Sequence, residues 1–133
     1  MIGLDTNVLI RYIVRDDPLQ AEAASRLIEN RCNLENPGLV NPVVLCEIVW
    51  VLNRGYGYDR ITTARVIRRI LSVREFQVSR AELAWKALRL FENGTADFSD
   101  YLIGLSNQRE KADTTFTFDR RAARSELFTM VPE

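Results

Sequence analysis

Four carboxylates stand where packing alone would place an apolar side chain: Asp5, Glu47, Asp100 and Asp119. Asp5 closes a short apolar stretch at 1–5 and precedes a mostly apolar run ending near residue 14. Asp119 follows TTFTF directly. Glu47 shares a helical side with Val43, Val44, Trp50 and Val51, counting about 100° per residue. Asp100 opens DYLIGL on the side of Ile103 and Gly104. Breaks of this kind in a local pattern are expected at functional sites. Carboxylates gathered in a partly buried place repel one another and raise their own pKa values, and a divalent cation relieves that repulsion. The chain has no histidine, and Cys32 and Cys46 have no metal-like spacing. The donors are therefore oxygens, and the matching cation is hard, Mg²⁺ or Mn²⁺. Such an ion serves phosphate chemistry by activating water and bracing phosphoryl oxygens. The lack of histidine also excludes Ser-His-Asp triads and nearly all zinc enzymes.

Structural explanations exist for each acid taken singly. Asp5 suits a helix N-cap, Asp97 with Asp100 suits a cap and its partner, and Asp119 suits the start of a turn. Glu47 could pair with Arg54 in a partly buried bridge. One shared site explains the four together more simply than four separate accidents. Asp16 and Asp17, ahead of Pro18, read as a turn and helix start. The arginines at 65, 68, 69 and 74 read as a solvated face.

The elements that must position these acids alternate between strand and helix. A strand at 1–5 leads to a helix at about 7–14. DDPLQAEAASRLIEN carries a cap signal with Pro18 in the first turn and an apolar spacing of Leu19, Ala23, Leu27 and Ile28. A short strand at 39–40 precedes Asn41 as N-cap, Pro42 in the first helical turn and a stop at Gly55 and Gly57. Asp59 caps a helix whose apolar face is Ile61, Ala64, Ile67, Ile70 and Leu71. FQVS alternates as a strand, helices follow through RAELAWKALRLFEN and SDYLIGLSNQREK, and TTFTF and LFTMV read as strands around a short helix. This pattern predicts an α/β fold with a mainly parallel central sheet flanked by helices in three layers, built as a single domain over 1–133. In such sheets ligand sites gather at the carboxyl ends of the strands, which would put Asp5 and Asp119 at one edge.

Eighteen basic residues balance eighteen acidic ones, so any nucleic-acid contact depends on a local patch and not on net charge. All the cations except Lys86 and Lys111 are arginine, which suits bidentate phosphate contacts. The longest apolar stretch, residues 39–52, contains Glu47 and is too short to span a bilayer. No secretory leader is visible and the two cysteines are expected reduced, Cys46 as a small core residue. A cytoplasmic protein is expected.

In that order, MIGLDTNVLIRYIVRDDPLQ, LCEIVWVL, ADFSDYLIG and TFTFD resemble the motifs of the PIN-domain ribonucleases. Within that family they are most similar to the VapC-type toxins of prokaryotic toxin–antitoxin pairs. The resemblance covers nearly the whole chain. It implies an acidic pocket of Asp5, Glu47, Asp100 and Asp119 binding Mg²⁺ or Mn²⁺, with Asp5 and Asp100 as the principal ligands. Glu47 would hold a second metal or a water, and Asp119 the outer part of the site. Asn7 and Thr117 match positions that polarise or place the acids, and Asp97 could join as a secondary member. Gly104-Leu105-Ser106 departs from the run of alanines found in many relatives, which touches helix packing and leaves the acids intact.

The activity implied is a metal-dependent endoribonuclease, with water attacking an RNA phosphodiester in line to leave 5′-phosphate and 3′-hydroxyl ends. Arg11, Arg120, Arg121 and Arg124 are candidates for holding substrate phosphates. The resemblance also implies a homodimer and a cognate antitoxin that blocks the pocket. Two rivals remain open. A phospho-acceptor receiver domain also gathers acids around Mg²⁺, but it needs an acidic pair after its first strand, where this chain has DTN, and a lysine after its fifth. The other rival is a PIN-like fold that has lost catalysis and serves as an interaction partner.

Overall fold

Strands and helices alternate along the whole chain, and every strand pair that forms is parallel. The computed structural model describes residues 1–133. It divides into two compact units, 1–81 and 82–133. The expected α/β fold with parallel strands and flanking helices is what the chain forms, its strands hydrogen-bonding as a three-stranded and a two-stranded sheet. Two helices, and no strand, fill the chain between residues 78 and 115.

In the first unit β1 (Ile2–Gly3), β2 (Gly38–Val40) and β3 (Phe76–Val78) lie side by side in that order. Their register sets Ile2 beside Gly38 and Gly38 beside Phe76. Gly38 is required by close approach, since a Cβ there would meet Leu4 Cδ1 at 2.7 Å and Cys32 Sγ at 2.9 Å. Helices α1 (Thr6–Val14), α2 (Pro18–Arg31), α3 (Pro42–Trp50) and α4 (Arg60–Ser72) connect and follow these strands. The cap signals act as the sequence predicts. Asp17 accepts from Gln20 N at 3.1 Å, Asn41 from Val43 N at 2.8 Å and Asp59 from Thr62 N at 2.8 Å.

Two helix faces differ from the sequence expectation. In α2 the buried side is Ala21, Ala24 and Ile28, while Leu19 is 80% exposed and Ala23 and Leu27 also face solvent. In α4 Ile61 is exposed, and Thr63 is buried in its place. Helical spacing fixes the period but not which of two neighbouring stripes turns inward. The stop expected at Gly55 and Gly57 is also not abrupt. α3 runs on into a π-helical turn (Val51–Gly55), and only Gly57, at φ +67°, reverses the chain. The turn is pinned by the fully buried Thr63, whose hydroxyl donates to Asn53 Oδ1 at 2.7 Å.

The second unit holds most of α5 (Ala81–Asn93), then α6 (Phe98–Arg109), β4 (Thr115–Thr117), a 3₁₀ turn (Ala122–Arg124) and β5 (Phe128–Met130). β4 and β5 pair with Thr115 beside Phe128 and Thr117 beside Met130. Leu88, Phe91 and Phe98 are buried, with the two phenylalanine rings edge to face at 6.1 Å. Gly104 explains the departure from an alanine run. A Cβ there would lie 2.9 Å from both Leu127 Cβ and Phe128 Cε2.

Candidate active site

Asp5 sits one residue beyond the sheet ladder, which ends with Leu4 N donating to Leu39 O at 2.9 Å. It is the N-cap of α1, but its Oδ1 accepts from Thr6 N at 2.8 Å, one or two residues short of the usual capping donor. The carboxylate is solvent-exposed at the carboxyl end of a parallel strand. The same end of β2 launches α3 through Asn41, and one and a half turns later α3 presents Glu47. The half-buried Glu47 accepts from the Thr6 hydroxyl at 2.8 Å. Thr6 therefore ties Glu47 to the residue next to Asp5. In the sequence this threonine carries no signal beyond its place inside DTN. Glu47 is partnered by Thr6 and not by Arg54. Of the helical side expected around it, Val43, Trp50 and Val51 are exposed while Val44 is buried.

In the second unit Asp97 caps α6, and its backbone N–H donates to Asp100 Oδ2 at 3.2 Å. Asp100 is half-buried, and its pKa is raised, first by burial and then by the charges of Asp97 and Asp119. The hydrogen bond from Asp97 N–H opposes that rise. Asp119 follows β4, with its N–H donating to Thr117 Oγ1 at 2.9 Å. Its Oδ1 accepts from Arg121 N at 2.7 Å and Ala122 N at 3.3 Å. The Thr117 hydroxyl thus holds the backbone N–H of Asp119. Capping and turn duties are real for Asp97, Asp100 and Asp119, and they orient carboxylates that electrostatics still leaves in one another's field.

The remaining candidates divide. Arg11 forms an ion pair with Asp16 at 3.0 Å and also donates to Gln20 at 2.7 Å and to Tyr56 at 3.2 Å. The structure brings it together with those groups and with no candidate acid. Asn7 is exposed and lines a groove between α1 and α2 with Val8, Arg11 and Gln20. Arg124 reaches Thr95 at 3.5 Å. The guanidinium groups of Arg120 and Arg121 have no hydrogen-bond or ion-pair partner. Both cysteines are free and buried, and burial, with Glu47 next door, pushes the Cys46 thiol up to about 11. It is a protonated core residue, not a soft metal ligand.

In neither unit do three acids or thiols converge into a ready cage for a metal ion. Mg²⁺ does not demand one, since it is commonly held by one or two carboxylates and completed by water and phosphate. The donor chemistry fits such an ion: oxygen only, with Asp100 desolvated in the field of two further acids. The oxygen donors available to it are Asp5 and Glu47 in the first unit and Asp100 and Asp119 in the second. No helix is long and apolar enough to cross a membrane. Compared with curated proteins, the chain matches none. The family model described as PIN domain matches residues 2–126, across both units. The chain therefore belongs to the PIN domain family, whose members are generally nucleases.

Proposed function

We propose that this chain is a divalent-metal-dependent endoribonuclease acting as the toxin of a toxin–antitoxin pair. The observation that carries the metal requirement is Asp100, a half-buried carboxylate in the field of Asp97 and Asp119 with no cation of the chain against it. When bound, Mg²⁺ or Mn²⁺ would supply positive charge for the phosphoryl oxygens and for activation of water. The chain's own residues do the rest. Asp5 and Asp100 offer carboxylate oxygens from a strand end and a helix start. Glu47, held by Thr6, accepts the proton of the attacking water. Asp119, fixed by the turn behind it, takes the outer position. The lack of histidine favours this route over one using the 2′-hydroxyl of RNA, which needs a proton acceptor and donor of near-neutral pKa. The receiver-domain alternative falls with the family match.

RNA as substrate, the toxin role, a homodimer, an antitoxin partner and a cytoplasmic location belong to this reading through the resemblance of the motifs. The test is cleavage of single-stranded RNA by purified chain with Mg²⁺ or Mn²⁺. Asp5→Asn and Asp100→Asn are expected to lower the rate on the order of 100-fold or more. Cleavage that survives EDTA, or an equally active Asp5→Asn variant, would overturn the mechanism. Metal binding without cleavage of any RNA would favour the silent PIN-like protein. Growth arrest on expression, relieved by Asp5→Asn, tests the toxin role.

A further inference from the structure

The two-stranded sheet of the second unit is patterned against the usual rule. Along β4 the threonines Thr115 and Thr117 are half-buried, while Phe116 is 60% exposed. Phe118, two residues on, is 67% exposed. Large apolar side chains standing together in water are informative where isolated ones are not. Neither ring packs on another aromatic ring of the chain. Phe116 lies in the middle of β4 and Phe118 at the bend directly after it, so the two exposed rings are close along the chain. The register sets exposed Thr129 beside Phe116, and its hydroxyl lies 2.7 Å from that of Thr114. The outer face of the sheet therefore carries the Phe116 ring beside small hydroxyls, with a second exposed ring at the bend that ends β4. Directly beyond Phe118 come Asp119 and the unpartnered guanidinium groups of Arg120 and Arg121.

We propose that Phe116 and Phe118 form a stacking platform for unpaired bases of a single-stranded nucleic acid, with Arg120 and Arg121 holding the adjoining phosphates. Aromatic rings exposed on a sheet face hold unstacked bases in sequence-tolerant fashion, because every base has a π face. Cations at the edge supply the complementary charge for the backbone. A base on Phe118 is one residue from Asp119, so binding there would deliver the neighbouring phosphodiester to the proposed chemistry. Duplex RNA keeps its bases stacked internally and offers nothing to the platform. The inference rests on the nuclease reading for its ligand class.

The test is direct binding of a fluorescent single-stranded RNA oligonucleotide in EDTA, where cleavage is blocked, alongside a cleavage assay with Mn²⁺. Phe116→Ala and Phe118→Ala should each weaken binding roughly 5- to 100-fold. Phe116→Leu and Phe118→Leu should lose nearly as much, and the tyrosine variants should retain binding. Affinity for a duplex of the same sequence should not change among them. Both side chains are exposed, and thermal melting checks that each variant folds. Wild type that binds and cuts, with alanine variants that bind equally well, would overturn the platform and leave the nuclease standing. Wild type that neither binds nor cuts any RNA would bring down the nuclease reading and the platform with it. Leucine variants that bind like wild type, or alanine variants that change only the oligomeric state, would assign the face to a protein contact and overturn the proposal.

Discussion

Thr6 has two jobs: its N–H serves Asp5 and its hydroxyl serves Glu47. Thr6→Val keeps the shape and the N–H but removes the hydroxyl. A hydrogen bond to a charged group is worth about 1.5–3 kcal/mol. We expect kcat to fall roughly tenfold or more with KM little changed, and Thr6→Ser to restore it, both read by steady-state cleavage. A second test concerns Asp16, the acid that catches the eye first in the sequence. The Tyr56 hydroxyl, ahead of Arg11, holds its carboxyl below the ordinary value of 3.8. The same bond holds the Tyr56 phenol above 10.0. Stability from Asp16 is therefore complete above 3.8 and lost as pH falls through its lowered value. Stability from Tyr56 is complete below 10.0 and lost as pH rises through its raised value. The melting-temperature gap between wild type and Tyr56→Phe should be flat at intermediate pH and close at both ends. The sequence marked Asp5, Glu47, Asp100 and Asp119 because a charge in an apolar pattern is visible in one dimension. It could not mark Thr6, whose partner lies 41 residues away and meets it only when α3 packs beside α1.

At the scale of elements, α6 is packed closely by Leu127 and Phe128 at Gly104. Gly104→Ala places a methyl group 2.9 Å from Leu127 Cβ and Phe128 Cε2. Helix propensity favours alanine over glycine by about 1 kcal/mol, while overpacking costs about 1–3 kcal/mol. Net destabilisation is expected, read as a lower denaturation midpoint at unchanged m-value. An equal or higher midpoint would show that β5 gives way. Caps and strand starts were legible because Asp17, Asn41 and Asp59 act on backbone groups two or three residues away. The inward face of α2 was not legible. Leu19 and Leu27 keep helical spacing as well as Ala21, Ala24 and Ile28 do, and only the neighbouring elements choose between them. The π-helical turn has no composition signal either, since it is one extra residue held by a distant Thr63–Asn53 bond.

For the whole molecule, the order of motifs carried more than any one of them, and the family match spans 2–126. The number of sheets was not legible, because hydrogen bonding between strands is decided in space. The metal reading makes a prediction independent of catalysis. With EDTA at neutral pH, Asp100→Asn should melt higher than wild type, since the raised pKa marks a charge the fold disfavours. Wild-type stability falls as pH rises from 3.8 through the raised value, so the gain should vanish in acid. Mg²⁺ should raise the wild-type melting temperature and not that of the variant. An equal response in both would remove Asp100 from the ligand set. The division of the chain into units at 81 and 82 has a further consequence. Asp5 and Glu47 belong to the first, Asp100 and Asp119 to the second. A ribosome builds the first unit long before it reaches Asp119. On the proposed reading, a nascent or prematurely terminated product carries half the acids and is harmless to the cell translating it.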